Sequence, residues 1–251
     1  MLKLKQNKIL EITVTPQSKQ IVLEKIKKYL NSPTGFFHIT SLNPENLVVA
    51  QENKEFKKVI ETAQIKIIDG VGIVLAARIL GIDIGERYPG VELMKDLIKL
   101  ALDGRLRVLL IGGRPNLADS LAKCYSRQFS KAKFKGVYGI KDIKKPERKE
   151  EKKIFSIVAT YKPHLLFVAF GSPDQELWLT HHKKEFSGVV AMGVGGSFDY
   201  LSDEVSRAPI FIQKLGLEWF YRLINQPWRW KRQVRLLRFI GLVFKEKWTK
   251  I

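Results

Sequence analysis

The sequence has one cysteine, Cys124, among 251 residues. That excludes an intrachain disulfide and a thiolate metal cluster, and free cysteine is usually a small buried residue, so Cys124 is expected inside a helix core. Histidine is scarce too, at four, and the pair His181-His182 has no further ligands at metal spacing, so no metal site is expected. No apolar run approaches the ~18 residues of a spanning helix. Met1-Leu2-Lys3-Leu4-Lys5 lacks the apolar core of a signal peptide, so a cytoplasmic location is expected. Acidic residues are few: 25 against 44 lysines and arginines, a net charge of +19 that calls for an anionic partner such as nucleic acid, a phosphate-bearing substrate or anionic lipid. Proline and glycine are modest, at 10 and 18, and 45% of residues are hydrophobic, which suits a globular chain long enough for a full core.

Short β-branched runs alternate with helical patterns. Ile9 to Val14 reads as a strand and Pro16 to Leu30 as a helix with a basic outer face. Phe36 to Thr40 is a second strand, followed by one helix from Pro44 to about Ala63. Ile65-Lys66-Ile67-Ile68 ends in Asp69, and Gly70 and Gly72 open the next helix. Arg107 to Ile111, Phe134 to Tyr138, Leu165 to Phe170 and Val189 to Met192 are further strands, and Lys141 to Glu151 is a charged connection. This order predicts an α/β fold: a Rossmann-like, mainly parallel sheet with helices on both faces and right-handed crossovers. Residues 1–206 form the expected core.

Residues 207–251 follow a different pattern and are expected to form a helical appendage. From Pro227 there are eight basic residues against one acid, Glu246. On a helix, Trp230, Val234, Leu237, Phe244 and Trp248 share one face, beside a stripe of Lys231, Arg235, Arg238 and Lys245. Such a helix either lies in an anionic membrane surface or docks on its own domain with a solvated basic face.

The strand ends are the candidate site, because open α/β sheets bind ligands there. They bring together Ser41 to Asn43, Asp69, Gly112-Gly113, Gly171 to Gln175 and Gly193 to Asp199. Glycine turns such as Gly112 and Gly195 can offer backbone N–H groups to phosphate or can be plain turns. Ser172-Pro173-Asp174-Gln175 has capping-box spacing, which makes Gln175 a helix cap on local grounds. Asp69 can cap its own helix or act as a general base. Asp199 can bind a sugar hydroxyl or stabilise its turn. Arg87 follows Glu86, so a surface ion pair is one reading of it.

Together these segments resemble the WecG/TagA/CpsF family of bacterial glycosyltransferases. The resemblance rests on Leu42-Asn43-Pro44-Glu45, Asp69-Gly70-Val71-Gly72, Glu86-Arg87-Tyr88-Pro89-Gly90, Phe170 to Glu176 and Gly193 to Asp199. Most specific are Arg207-Ala208-Pro209, Gln213 to Trp219 and Gln226-Pro227-Trp228-Arg229. The family match implies inverting transfer of a sugar, with N-acetylmannosamine the leading expectation, from a UDP-sugar donor to an undecaprenyl-diphosphate-linked N-acetylglucosamine, in teichoic acid or other surface polysaccharide synthesis. It implies Asp69 as general base, with Arg87 a second catalytic residue of the donor or acceptor pocket. Asn43, Gln175 and Asp199, with Ser41, are then the substrate pocket, to which the strand-end turns add Gly112 and Gly195 as expected substrate contacts, and Arg222, Arg229 and Arg232 are implied to meet the diphosphate at the membrane. Ser41 stands where members often carry Thr, which keeps the hydroxyl.

No Asp-x-Asp pair is present to hold a metal against the leaving diphosphate, so arginines are the expected counter-charge and no cofactor is expected. The protein is expected to be peripheral on the inner membrane face, and an apolar docking surface for the appendage would favour homo-oligomers. Alternatives are another donor sugar such as glucose, a core that has lost activity and serves as an assembly partner, and a basic nucleic-acid-binding protein. The last leaves the strand-end carboxylate unexplained.

Overall fold

The computed structural model describes residues 7–202, 209, 221 and 230–249, with the side chains of 230–233 excepted. A six-stranded parallel sheet runs β4-β3-β8-β7-β5-β6, with β3 Phe37–Leu42, β4 Ile65–Ile68, β5 Arg107–Gly112, β6 Lys133–Val137, β7 Leu165–Ala169 and β8 Val190–Gly193. The chain steps from β3 outward to β4, then restarts at β5 on the far side of β8 and β7. The winding therefore reverses around the central strands, which is where such sheets open a ligand crevice.

Both faces are covered, so the inner strands β5, β7 and β8 are near-continuous buried apolar runs rather than alternating, while the edge strand β6 keeps exposed lysines. On one face, Ile39, Leu110, Phe167 and Met192 pack against α1 (Lys19–Asn31), α5 (Gly90–Gly104) and α6 (Leu117–Gln128). On the other, Leu109, Leu166, Val168 and Ala191 meet α7 (Arg148–Tyr161) and α8 (Asp174–His181). There too Leu42 and Ile68 meet α2 (Pro44–Glu52), α3 (Lys54–Thr62), α4 (Val71–Leu80) and α10 (Trp230–Thr249). The short α9 (Ser197–Leu201) follows β8.

Several expected elements differ. The single N-terminal strand is a hairpin, β1 (Lys8–Ile9) and β2 (Ile12–Thr13), turned by Leu10 and Glu11 in left-handed conformations at φ 48° and 62°. The helix expected from Pro16 starts at Lys19, because the Ser18 hydroxyl caps it. The helix expected from Pro44 to Ala63 is two, because Asn53 leaves helical geometry and caps α3 through Phe56 N–H. The charged connection before α7 contains its start, where Glu147 and Glu150 form a capping box. Cys124 lies on the exposed side of α6 rather than in the core, which Leu121 and Ala122 occupy instead.

The appendage helix does more than either sequence reading allowed. Phe239 and Val243 are buried against α2 and α4, so α10 is docked. Arg235 and Arg238 pair with Glu45 and Glu52 of α2, so two members of the expected basic stripe face protein carboxylates. Yet Val234, Leu237, Ile240, Phe244 and Trp248 remain exposed as a second apolar stripe, with Leu237 at 70% and Trp248 at 78%. No described helix is long and apolar enough to cross a membrane. The expected boundary at 206/207 lies outside the described residues.

Candidate active site

A cleft of about 630 Å³ opens at the carboxyl ends of β3, β4, β7 and β8, within the usual size of small-molecule sites. Its floor is polar: Ser41, Asn43, Asp69, Arg87, Gln175 and Gly195 all line it. Its wall is apolar, built from Leu75 and Ile79 of α4 and from Leu236, Phe239, Ile240 and Phe244 of α10.

Asp69 follows β4 directly, and its carboxylate does not turn back on α4, whose first residues have no side-chain cap. Oδ1 instead accepts from Gly90 N–H at 3.0 Å, at the start of α5. That fixes the carboxylate and leaves Oδ2 for a ligand. Arg87 donates from Nε to the Asp69 carbonyl at 3.0 Å, while Glu86 pairs with Lys19, so Arg87 is not the partner of its neighbour. With Nε held, the two terminal nitrogens of the fork remain for an anion. Asn43 Oδ1 caps α2 through Asn46 N–H at 2.9 Å, which leaves the Asn43 amide protons for the cleft.

Gln175 is not a helix cap. Helix α8 starts at Asp174 with no side-chain cap, and Gln175 is buried. Its Oε1 accepts from both Gly171 N–H and Gly195 N–H, each at 3.1 Å, and so ties the loops after β7 and β8 together. Those two amides are therefore engaged within the protein, as is Gly113 N–H, which donates to the Ala169 carbonyl at 2.9 Å. A Cβ on Gly193 would lie 2.6 Å from Gln175 Nε2 and 2.7 Å from Glu176 Oε1, so only glycine leaves room for this pair.

Two expected pocket residues lie elsewhere. Gly112 packs under the Phe170 ring, and Asp199 accepts from Arg114 Nε at 3.1 Å; neither lines the cleft. Arg222, Arg229 and the side chain of Arg232 lie outside the described residues. Sequence reading also missed Glu176, which lines the cleft at 2% exposure. Burial pushes its carboxyl up to about 7. Its place at the end of the family-like segment Phe170 to Glu176, one residue after Gln175, was the available signal. Among the described residues, no three His, Cys, Asp or Glu side chains gather as metal ligands.

A carboxylate, an arginine and amides at the strand ends of a reversing parallel sheet, facing an apolar wall, form the substrate end of an α/β enzyme. Comparison with known proteins specifies the class. The chain belongs to the glycosyl transferase WecG/TagA/CpsF family, whose model matches residues 7–251. A Bacillus subtilis (strain 168) relative is 31% identical over 89% of this chain and 85% of its own length. A Staphylococcus aureus (strain MW2) relative is 30% identical over 86% of this chain and 82% of its own. Both are N-acetylglucosaminyldiphosphoundecaprenol N-acetyl-beta-D-mannosaminyltransferases. The chain is thus a glycosyltransferase.

Proposed function

We propose that this protein transfers N-acetylmannosamine from a UDP-sugar to an N-acetylglucosamine carried on undecaprenyl diphosphate, with inversion at the anomeric carbon. The observation that carries the reading is a single cleft with Asp69 and Arg87 on its floor and Leu75, Ile79, Phe239 and Ile240 on its wall. A sugar on a lipid diphosphate has that same polarity, with hydroxyls and phosphates at one end and hydrocarbon at the other.

In this mechanism the acceptor hydroxyl passes its proton to Asp69 Oδ2 as its oxygen forms the new bond to the anomeric carbon. The bond from that carbon to the UDP oxygen breaks on the opposite side, and UDP leaves with the electron pair. One displacement gives one inversion. General-base assistance of this kind is worth roughly 100- to 10,000-fold. Arg87, with its Nε oriented by the Asp69 carbonyl, is the cation on the floor that can meet developing phosphate charge; Arg222, Arg229 and Arg232 are proposed to add to it. No metal or other cofactor is assigned to the reaction.

The test is a transfer assay with a panel of UDP-sugars and a short-chain lipid-diphosphate N-acetylglucosamine acceptor, with product configuration read by NMR. A β-linked N-acetylmannosaminyl product is expected, with undiminished rate in excess chelator. Transfer only from UDP-glucose would replace the donor, and activity lost to chelator and restored by magnesium would end the metal-free mechanism.

A further inference from the structure

Beneath the cleft floor a chain of hydrogen bonds joins three strand ends, and its donors can be assigned one by one. Asn46 Nδ2 donates to the Ser41 carbonyl at 2.8 Å, which can only accept, so Asn46 Oδ1 must face Ser172. Ser172 Oγ therefore gives its one proton to Asn46 Oδ1, at 2.9 Å. At the other end, Gln175 Oε1 is held by two backbone N–H groups, so Gln175 Nε2 must donate to Glu176 Oε1, at 2.7 Å. Glu176 joins the two halves. Ser172 is beside its carboxyl, and its Oε2 is buried with no hydrogen-bond partner.

We propose that Glu176 is a positioning residue that works as the neutral carboxylic acid, carrying on Oε2 the one proton that this chain otherwise lacks. A charged Glu176 would need a donor for Oε2, and the Ser172 hydroxyl beside its carboxyl is the side-chain donor that could turn to it. Taking that proton would detach Ser172 from Asn46. Asn46 in turn holds Ser41 through its side chain and Asn43 through its backbone N–H. The protonation state of Glu176 thus reaches two residues of the cleft floor without Glu176 touching the reacting atoms.

Surrounding charges do not stabilise an ionised Glu176. Asp174 on its own helix opposes ionisation. His38, on the same sheet face as Gly193, is kept neutral by burial, at about 4. Asp69 and Arg87 are engaged with each other's neighbourhood on the floor, and Glu45 is paired with Arg235 above α2. Farther along α8, His181 pairs with Glu55 and His182 with Glu151.

The inference rests on the transferase reading for its kinetic consequence only. Between its ordinary value of 4.5 and about 7, Glu176 holds a proton in the folded state that it lacks unfolded, so stability falls as pH rises through that window. Glu176→Gln resembles the neutral acid and does not titrate. Its melting temperature relative to wild type is expected to climb from pH 5 to pH 8.5, a difference needing no substrate. A gap that stays flat or narrows overturns the proposal.

In the transfer assay, wild-type KM for the donor is expected to rise several-fold from pH 6 to 8.5 with a smaller change in kcat. Glu176→Gln should abolish that rise, and Ser172→Ala should hold KM high at every pH. A flat wild-type KM, or an unchanged rise in Glu176→Gln, also overturns it. Should no transfer be detected with any donor, the proposed function fails while the melting series still decides the role of Glu176.

Discussion

At the scale of single residues, Asp69 is the clearest case of a side chain with its two oxygens in different roles. Oδ1 satisfies the first amide of α5 and Oδ2 is left for chemistry. Asp69→Asn retains an acceptor for Gly90 N–H but has no basicity, so transfer should fall roughly 100- to 10,000-fold with the melting temperature close to wild type. Near-wild-type turnover would remove Asp69 as base. Gln175→Ala should behave differently. It strands the Gly171 and Gly195 amides, which are only half-buried at the cleft, so the loss should fall below the about 1–3 kcal/mol of a fully buried donor left without a partner, and thermal melting should detect it alongside lost donor affinity. The sequence made Asp69 visible because a β-branched run ending in a carboxylate before two glycines marks a strand end. For Gln175 local spacing pointed to a cap and only the family resemblance to the pocket, because capping-box spacing is a local rule, while its actual partners, Gly171 and Gly195, include one twenty residues away. Glu176 was invisible for a related reason: nothing in its neighbours tells whether a carboxylate at that helix position faces solvent or the sheet.

Among the elements, α10 is held by contacts that reach back to the beginning of the chain. Glu246 accepts from Leu10 N–H at 2.8 Å, and Gln51 of α2 donates to the Leu10 carbonyl at 2.7 Å. The hairpin tip places two non-glycine residues at positive φ, a conformation that costs energy unless the surroundings hold it. Those two bonds, with the burial of Leu10 at 5% exposure, supply the hold. Glu246→Ala should therefore loosen both partners. Hydrogen exchange is expected to quicken in β1–β2 and in the last turns of α10, with little change in the central strands. Exchange unchanged in the hairpin would show that the clasp is idle. The alternation of strands and helices in the main sheet was legible because buried parallel strands are short apolar runs between turn residues. The hairpin was not, since Leu10-Glu11 carries none of the Asn-Gly chemistry that marks such a turn.

For the whole molecule, the question is what the second apolar stripe of α10 is for. One face of the helix is committed to α2 and α4 through Phe239 and Val243, and the basic side chains nearest it are committed to Glu45 and Glu52. Removing the appendage would uncover the buried faces of Leu47, Ile73 and Ala76, so truncation confuses membrane loss with misfolding. Substitution on the outer stripe avoids this. Leu237 and Trp248 are 70% and 78% exposed, so Leu237→Glu with Trp248→Glu should leave the melting temperature nearly unchanged. If the stripe inserts at the acyl boundary while the +19 charge draws the protein to anionic headgroups, the double variant should sediment far less with anionic vesicles. Wild-type binding should itself weaken between low and physiological salt, because screening shortens the reach of the charge to about 8 Å. Transfer to a short-chain soluble acceptor should survive in the variant, and transfer to acceptor embedded in vesicles should not. Equal loss on both acceptors would place the defect in the cleft wall, where Ile240 and Phe244 already contribute, and would leave the stripe without a membrane role.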